Sequence, residues 1–504
     1  MNNNSATAPR WLVSIAIMLA TIMVILDMTI VNVALPQMMG SLGATSNQIT
    51  WVLTSFIVAQ AVFIPMTGYF SARFGRKHLL LISVTGFVVA SALCGQAHVL
   101  EEMIVFRVMQ GMFGAFVIPL SQAIMVDIFP KEERGKAMAL WGIGIMLGPI
   151  MGPTLGGFIT QHMTWRWVFY INLPVGLLAL ALIWFLVEQT AIRRQKTDWL
   201  GAALMMTGVA CLQVVLDRGN QENWFNSNLI FTLALIGGLL LISFVWRAWH
   251  REDSIVNLRL LKDRNLATAS VLIAAFGLGM FGTIALLPIL LEGLLQYPVE
   301  TTGLVMAPRG IGAAISMFLV SQLITRVDVR ALLITGISIS AAASYLMTWY
   351  DLSISPGWVI WPGFIQGLGM GMMFVPLSTV AYTTIEKQHV DQASGLFNVL
   401  RTIGSSAGIS ILATVFSRSE QSAWNQLGGH INPFNPALHQ WLQSSGLTMG
   451  NPTTPLLLAQ QLSGQATMIG FLDSFWFVTW SFVLLAPLVF LIKPQKPVAA
   501  VVGE

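Results

Sequence analysis

One carboxylate sits in a run that holds no other charge. Residues 21–36 (TIMVILDMTIVNVALP) are apolar apart from Asp27, two threonines and Asn32. A charge at the middle of a bilayer costs about 2.5–3.5 kcal/mol on insertion scales, and burial penalises the ionised form of any acid. A carboxyl that gains and loses a proton as water reaches it from alternate sides is what proton coupling requires. The same side chain could instead hold a structural polar contact with Asn32 or with another helix.

Arg107 lies in a second apolar stretch, residues 104–115 (IVFRVMQGMFGA). A guanidinium cannot deprotonate to escape an apolar medium, so Arg107 needs an acceptor, and Asp27, Gln110 and backbone carbonyls are all candidates. Arg309 in residues 306–312 (MAPRGIG) and Arg401 in residues 399–404 (VLRTIG) pose the same question later in the chain. Arg309 has a further option, a place near the outer interface from which it snorkels to water. Glu292 and Asp473 are expected at external helix ends, reachable by protons or simply solvated.

Two glycine-rich segments have a mechanical character. Residues 68–77 (GYFSARFGRK) combine Gly68 and Gly75 with Arg73, Arg76 and Lys77. The glycines permit a tight turn and a close helix approach, and the cations can bind helix-end carbonyls and nearby carboxylates. Residues 142–157 (GIGIMLGPIMGPTLGG) space Gly144, Gly148, Gly152 and Gly156 four apart, with Gly157 adjoining. That stripe lets another helix pack backbone to backbone, and Pro149 and Pro153 interrupt the hydrogen-bond ladder within it. A kinked interface between two helix bundles is the expectation.

Other chemistry is excluded by context. Gly277, Gly279 and Gly282 satisfy G-x-G-x-x-G but lie in an apolar stretch with no preceding strand, so dinucleotide binding is rejected. There is no phosphate-binding G-x-x-x-x-G-K-[ST] loop and no H-E-x-x-H, and Cys94 and Cys211 have neither disulfide-framework nor metal-ligand spacing. No enzyme activity, cofactor or metal is expected. Uphill transport would have to draw on an ion gradient or on a separate ATPase subunit.

These residues need helices embedded in lipid to position them. The chain is 55% hydrophobic and 10% charged, with a mean hydropathy of +0.72, whereas a soluble domain is about a quarter charged. Spans of roughly 20 apolar residues are expected at 12–36, 50–70, 78–97, 103–126, 137–160, 167–187, 198–216, 228–247, 268–291, 303–325, 331–349, 357–381, 395–417 and 470–492. The first is too long for a signal-peptide core and has no A-x-A cleavage site, so it is expected to remain as a span.

Twenty of the 26 Lys and Arg residues fall in alternate gaps or at the ends, among them Lys131, Arg134, Arg193, Arg194, Lys196, Arg247 and Lys387. Positive loops stay untranslocated, so the expectation is a multi-pass inner-membrane protein with both termini cytoplasmic. The net charge of +4 follows from that topology and needs no nucleic acid.

The chain also repeats itself. Residues 114–121 (GAFVIPLS) match 371–378 (GMMFVPLS), and Gly135, Gly144 and Gly148 match Gly395, Gly404 and Gly408 at one constant offset. Duplicated bundles are common in transporters. The predicted fold is all-α and polytopic: a six-helix bundle over 1–190, an inserted transmembrane hairpin with its connectors over 191–264, and a second six-helix bundle over 265–492. A tail covers 493–504. An external gap at 418–468, carrying an NPFNP segment, is either a docking place for a partner or a tolerated surface insertion.

Together these segments resemble the major facilitator superfamily, specifically its fourteen-span drug:proton antiporters, over nearly the whole chain. Residues 68–77 look like the family's gating motif, Arg107 like the arginine of its span 4 motif and residues 144–157 like its antiporter motif. Residues 26–36 (LDMTIVNVALP) look like the span 1 motif with Asp27 as its acidic position, and residues 165–176 (WRWVFYINLPVG) and 307–312 (APRGIG) are further similarities. The major facilitator fold is therefore expected. Ala72 departs from the pattern, since many members carry an acid there, so Arg73 or Arg76 is expected to use Asp127 or a helix end instead.

The resemblance implies export of hydrophobic drugs or toxicants in exchange for protons, with Asp27 and Arg107 carrying the coupling. The resemblance, which extends to the external NPFNP-like segment, also implies partnership with a periplasmic membrane-fusion adaptor of the EmrA type and a TolC-like outer-membrane channel. A single-component antiporter, a proton-linked uptake carrier and a non-transporting receptor are the alternatives.

Overall fold

A computed structural model describes residues 9–493 except 191, 193–197, 252–253, 433, 445–447, 449–450 and 452. Arg193, Arg194, Lys196, Lys496 and the first proline of the NPFNP segment, Pro433, therefore lie outside the described residues, as does the tail beyond 493.

Fourteen helices are long and apolar enough to cross a membrane, and no strand occurs among the described residues. Spans 1 to 6 are Arg10–Ser41, Trp51–Phe74, Arg76–Gln96, Leu100–Ile128, Arg134–His162 and Trp167–Leu186. Spans 7 and 8 are Trp199–Arg218 and Asn228–His250. Spans 9 to 14 are Arg264–Leu294, Thr301–Leu323, Val329–Met347, Pro356–Val380, Lys387–Gly428 and Thr454–Leu491. Helix is the form that satisfies every backbone polar group within one segment, as lipid demands. Several starts are written locally: Asp198, Asp263 and Asp328 each accept from a backbone N–H at the head of spans 7, 9 and 11.

The internal repeat reappears as packing. Span 1 lies against spans 5 and 6, span 2 against 4, and span 3 against 4 and 6. Eight spans later the same pairs recur: 9 with 13 and 14, 10 with 12, 11 with 12 and 14. The two sets meet along span 5 against spans 10 and 12, and along spans 2 and 4 against span 13. Span 7 packs on span 8 and touches both span 2 and span 13, so the hairpin is wedged beside the junction of the two sets.

The glycine stripe of span 5 corrects the sequence expectation. A Cβ built on Gly144, Gly148, Gly152 or Gly156 would run into Met18, Ile25, Thr29 or the Ile30–Val33 region, all on span 1. The stripe is thus a seam inside the first set of helices. The junction between the sets uses the neighbouring face, where Gly142 meets Met317 and Phe374. The duplicated seam is also present, with Gly404 and Gly408 against the span 9 backbone at Ala274 and Leu278. A stripe records that something approaches closely but not which helix does.

A second correction concerns residues 418–468. Span 13 continues as helix to Gly428 and span 14 begins at Thr454, with a short helix Pro436–Ser444 between them. At 1.5 Å per residue span 13 is about 60 Å long, twice the hydrocarbon thickness of about 30 Å. Hydropathy ends at the polar residues, whereas the helix ends only at Gly428. Leu438, Leu442 and Leu458 form a small core closing the hairpin, and Thr467 donates to Glu420 across it.

Candidate functional site

Asp27 is sealed, with 0% exposure, about halfway along span 1. Its Oδ2 accepts from Arg107 Nη1 at 2.7 Å, and its Oδ1 accepts from Gln110 Nε2 at 2.9 Å and Asn172 Nδ2 at 2.7 Å. Arg107, 1% exposed, also donates to Gln110 Oε1 and, through Nε, to the Val52 carbonyl of span 2 at 2.9 Å. Its guanidinium lies over the Phe56 ring at 4.2 Å. Asn172 donates a second bond to Ser91, whose hydroxyl donates to the Phe169 carbonyl. Spans 1, 2, 3, 4 and 6 are thereby joined at one buried point.

The three acceptors open to Arg107 in the sequence are all used: the carboxylate, the amide oxygen and a carbonyl. The alternative contact between Asp27 and Asn32 is not made, since Asn32 is exposed and donates to Met28 of its own helix at 3.3 Å. A buried ion pair gains little net stability, but removing one partner leaves an uncompensated charge at about 3–5 kcal/mol. The geometry therefore makes Asp27 and Arg107 depend on one another for their buried positions. Asn172 falls in the segment 165–176, yet an uncharged amide costs too little in hydropathy to stand out. Its partner Ser91 gives no sequence cue at all.

A second cluster lies at the basic end of the bundle. Arg76 Nη1 donates to Asp127 Oδ2 of span 4 at 2.8 Å, and Arg76 Nε to Asp391 Oδ1 of span 13 at 2.8 Å. Ser71 also donates to Asp391. Gly75 has φ +78°, the left-handed turn that separates spans 2 and 3, and a Cβ on Gly68 would meet the Gln392 backbone. Lys77 binds the Trp184 carbonyl near the end of span 6 at 2.6 Å. Arg73 is exposed, so of the two candidate arginines Arg76 holds the contact, and Asp127 is its partner as Ala72 implied. Asp391 was not legible in advance, because a carboxylate in a helix's first turn is ordinary.

The remaining candidates are scattered. Arg309 does not snorkel: it is 6% exposed and its three guanidinium nitrogens have no hydrogen-bond partner. Arg401 is half-buried over the Trp141 ring at 6.0 Å. Glu292 is half-buried and Asp473 exposed. Pro149 lines a small pocket with Arg309, and Pro153 lies one turn further along the same continuous helix.

Residues 17–409 match the Major Facilitator Superfamily. The chain is 36% identical over 490 residues to the multidrug export protein EmrB of Haemophilus influenzae, covering 96% of each. It is 35% identical over 487 residues to the fatty acid resistance protein FarB of Neisseria gonorrhoeae, again covering 96% of each. Among solved structures it superposes on the proton:xylose symporter XylE with a TM-score of 0.62 at 14% identity, covering 97% of each chain. With fourteen apolar helices, a duplicated packing scheme and a match over most of its length, the chain belongs to the Major Facilitator Superfamily of multi-pass membrane transporters.

Proposed function

We propose that this protein is a proton-coupled antiporter that exports hydrophobic drugs and toxicants across the inner membrane by alternating access. In this reading the basic end and both termini are cytoplasmic, residues 1–190 and 265–492 are the rocking bundles, and 191–264 is the inserted hairpin with its connectors. The carrying observation is the sealed Asp27–Arg107 pair at mid-span, in a chain about a third identical to multidrug export proteins along almost its full length.

Span 4 supplies a route from proton to gate. It carries Arg107, which neutralises Asp27, and Asp127, which holds Arg76. The two stretches are separated by a break in the helix at Ala115–Phe116. A proton on Asp27 cancels its attraction for Arg107, which keeps Gln110 and Val52 as acceptors. The first half of span 4 is then free to shift, and the second half releases or restores the latch on Arg76 and Asp391. Alternating access needs such a two-position element biased by the coupling ion.

The helical projection formed by spans 13 and 14 beyond the bilayer supports a further assignment, the inner-membrane subunit of a tripartite pump. Phe434 at its tip is 91% exposed, a side chain suited to docking a periplasmic EmrA-type adaptor that leads to a TolC-like outer-membrane channel. The experiment for the whole reading is Asp27→Asn in cells and in proteoliposomes. Proton-driven efflux is expected to vanish while the protein still reaches the membrane, and retained drug resistance would reject the assignment.

A further inference from the structure

The inserted hairpin is bonded to both sets of helices. Span 13 packs on span 2 chiefly over residues 64–74, the half that carries Arg76's neighbours and the latch. Along the opposite half, Trp51–Phe63, span 7 packs against span 2, and it touches span 13 as well. Toward span 2, the buried Thr54 hydroxyl donates to Asp217, Arg218 Nη1 donates to the Thr50 hydroxyl at 2.9 Å, and the Arg218 guanidinium lies over the Trp51 ring at 4.4 Å. Toward span 13, Gln213, 1% exposed, donates to the Ser406 hydroxyl at 2.6 Å. In the turn after span 7, the Trp224 indole N–H donates to the Thr414 hydroxyl at 2.9 Å.

A hairpin that merely covered a groove would need only apolar contacts, since polar side chains facing other helices in lipid must find partners there. The backbone at the turn is fitted to the task as well. Asn223 and Trp224 hold φ +56° and +53°, a left-handed conformation that a bulky residue keeps only where its surroundings fix it. Gly219 makes room for the indole, because a Cβ there would come within 2.7 Å of the Trp224 ring. The same stretch of span 2 also serves the coupling site. The Val52 carbonyl accepts from Arg107 Nε at 2.9 Å, and the Phe56 ring lies under the Arg107 guanidinium at 4.2 Å. On a helix, residues 52 and 56 face about 200° away from residues 50 and 54. Span 2 is therefore held by Arg107 on one face and by span 7 on the other.

We infer that span 7 is a strap that passes a change at the Asp27–Arg107 pair through span 2 to span 13, at the end of the bundle opposite Arg76. Thr54, Asp217, Arg218, Gln213 and Trp224 are its positioning residues, acting through the helices they hold. This rests on the proton-coupling reading above and deepens it by giving the inserted hairpin a part. A shift of Arg107 moves Val52 and Phe56 with it, span 7 follows through Thr54, and span 13 follows span 7 through Ser406 and Thr414. Coupling of this kind needs a contiguous set of contacts that both ends can bias.

The test uses the full chain in lipid nanodiscs, with spin labels on cysteines placed at exposed Ser41 of the first set and exposed Gln421 of the second. Asp27→Asn, a mimic of the protonated carboxyl, is expected to redistribute the distances between them. Thr54→Val cuts the strap on the span 2 side and Trp224→Phe on the span 13 side, each with little change of shape. In either background the population ratio should respond to Asp27→Asn about fivefold less, the worth of one hydrogen bond in an equilibrium. Thr54→Ser, which restores the donor, should recover part of what Thr54→Val loses. Efflux kcat should fall severalfold in Thr54→Val and Trp224→Phe at little change in KM, because the strap touches no cargo. Should Thr54→Val fail to fold, Trp224→Phe decides alone. An unchanged distance distribution in Asp27→Asn overturns the inference, as does an undiminished response in Trp224→Phe. A loss that Thr54→Ser leaves unrepaired would assign the effect to shape instead of the bond and count against it. The coupling reading is judged separately by efflux: survival in Asp27→Asn rejects that reading, whereas loss of efflux without any change in distances rejects only the strap.

Discussion

Arg76 and Asp391 are 315 residues apart in the chain and meet at 2.8 Å, with side chains 9% and 17% exposed. One belongs to the first set of helices and the other to the second, so this contact closes the basic end across their junction. Asp127, on span 4, accepts from the same guanidinium.

Breaking the latch should open that end. Asp391→Asn is expected to lengthen the distance between the loop joining spans 2 and 3 and the head of span 13, as read by spin labels on single cysteines. Transport should fall severalfold while proton release on substrate binding persists. The exchange Arg76→Asp with Asp391→Arg should recover part of the activity. No change in the distance distribution would mean the pair is incidental.

The buried pair should behave as a unit. Arg107→Gln alone leaves Asp27 facing only amides, at a cost of about 3–5 kcal/mol. Adding Asp27→Asn removes the stranded charge, so the double variant should regain at least about 1 kcal/mol relative to Arg107→Gln. Thermal unfolding in detergent measures both, and strict additivity would show that the two side chains do not depend on one another.

Asn172 is predicted to matter although it carries no charge. Asn172→Ala deletes the donor to Asp27 Oδ1 and the link to Ser91. The expected loss is about 1.5–3 kcal/mol for a hydrogen bond to a charged group, seen as a lower unfolding temperature and reduced efflux. Wild-type stability in that variant would mean that Gln110 alone satisfies the oxygen.

Glycine positions should divide by what faces them. A Cβ at Gly404 would fall 2.2 Å from the Ala274 carbonyl oxygen, whereas one at Gly238 would meet nothing within 4 Å. Gly404→Ala is therefore expected to destabilise and to impair transport. Gly238→Ala should be neutral or stabilising by about 0.5–1 kcal/mol, the usual gain of Ala over Gly in a helix. The comparison of the two unfolding temperatures decides it.

The hairpin of spans 7 and 8 carries a pH dependence. Asp198 accepts two hydrogen bonds from Arg247 Nε and one from Nη2, and a further one from the Gly201 N–H. The Arg247 bonds, chiefly, hold its carboxyl below the ordinary carboxylate range, against the opposing effect of burial. A depressed carboxylate stabilises the fold above its unfolded value near 3.9, and that stabilisation is lost as pH falls through the lower folded value. Asp198→Asn should thus lower the unfolding temperature at neutral pH, and the gap to wild type should close below about pH 4. A gap that stays constant with pH would refute the ion-pair origin.

The sequence by itself determined what each helix is and where its costly groups lie. Fourteen apolar stretches, the duplicated motifs, Asp27 as a carboxylate in lipid and Arg107 as a cation in need of an acceptor are properties of single segments, and hydropathy and spacing sum them locally. Tertiary structure decided the partners. Gly144 to Gly156 pack on span 1 rather than across the junction, Asn172 and Asp391 reach charges far away in the chain, and Arg309 is buried instead of snorkelling to water. It also decided how far the helices of spans 13 and 14 run past their apolar stretches, since polar helix formers carry no hydropathy. Pairing energies depend on which faces meet after the helices assemble, and a one-dimensional pattern fixes a helix's faces without fixing what each will touch.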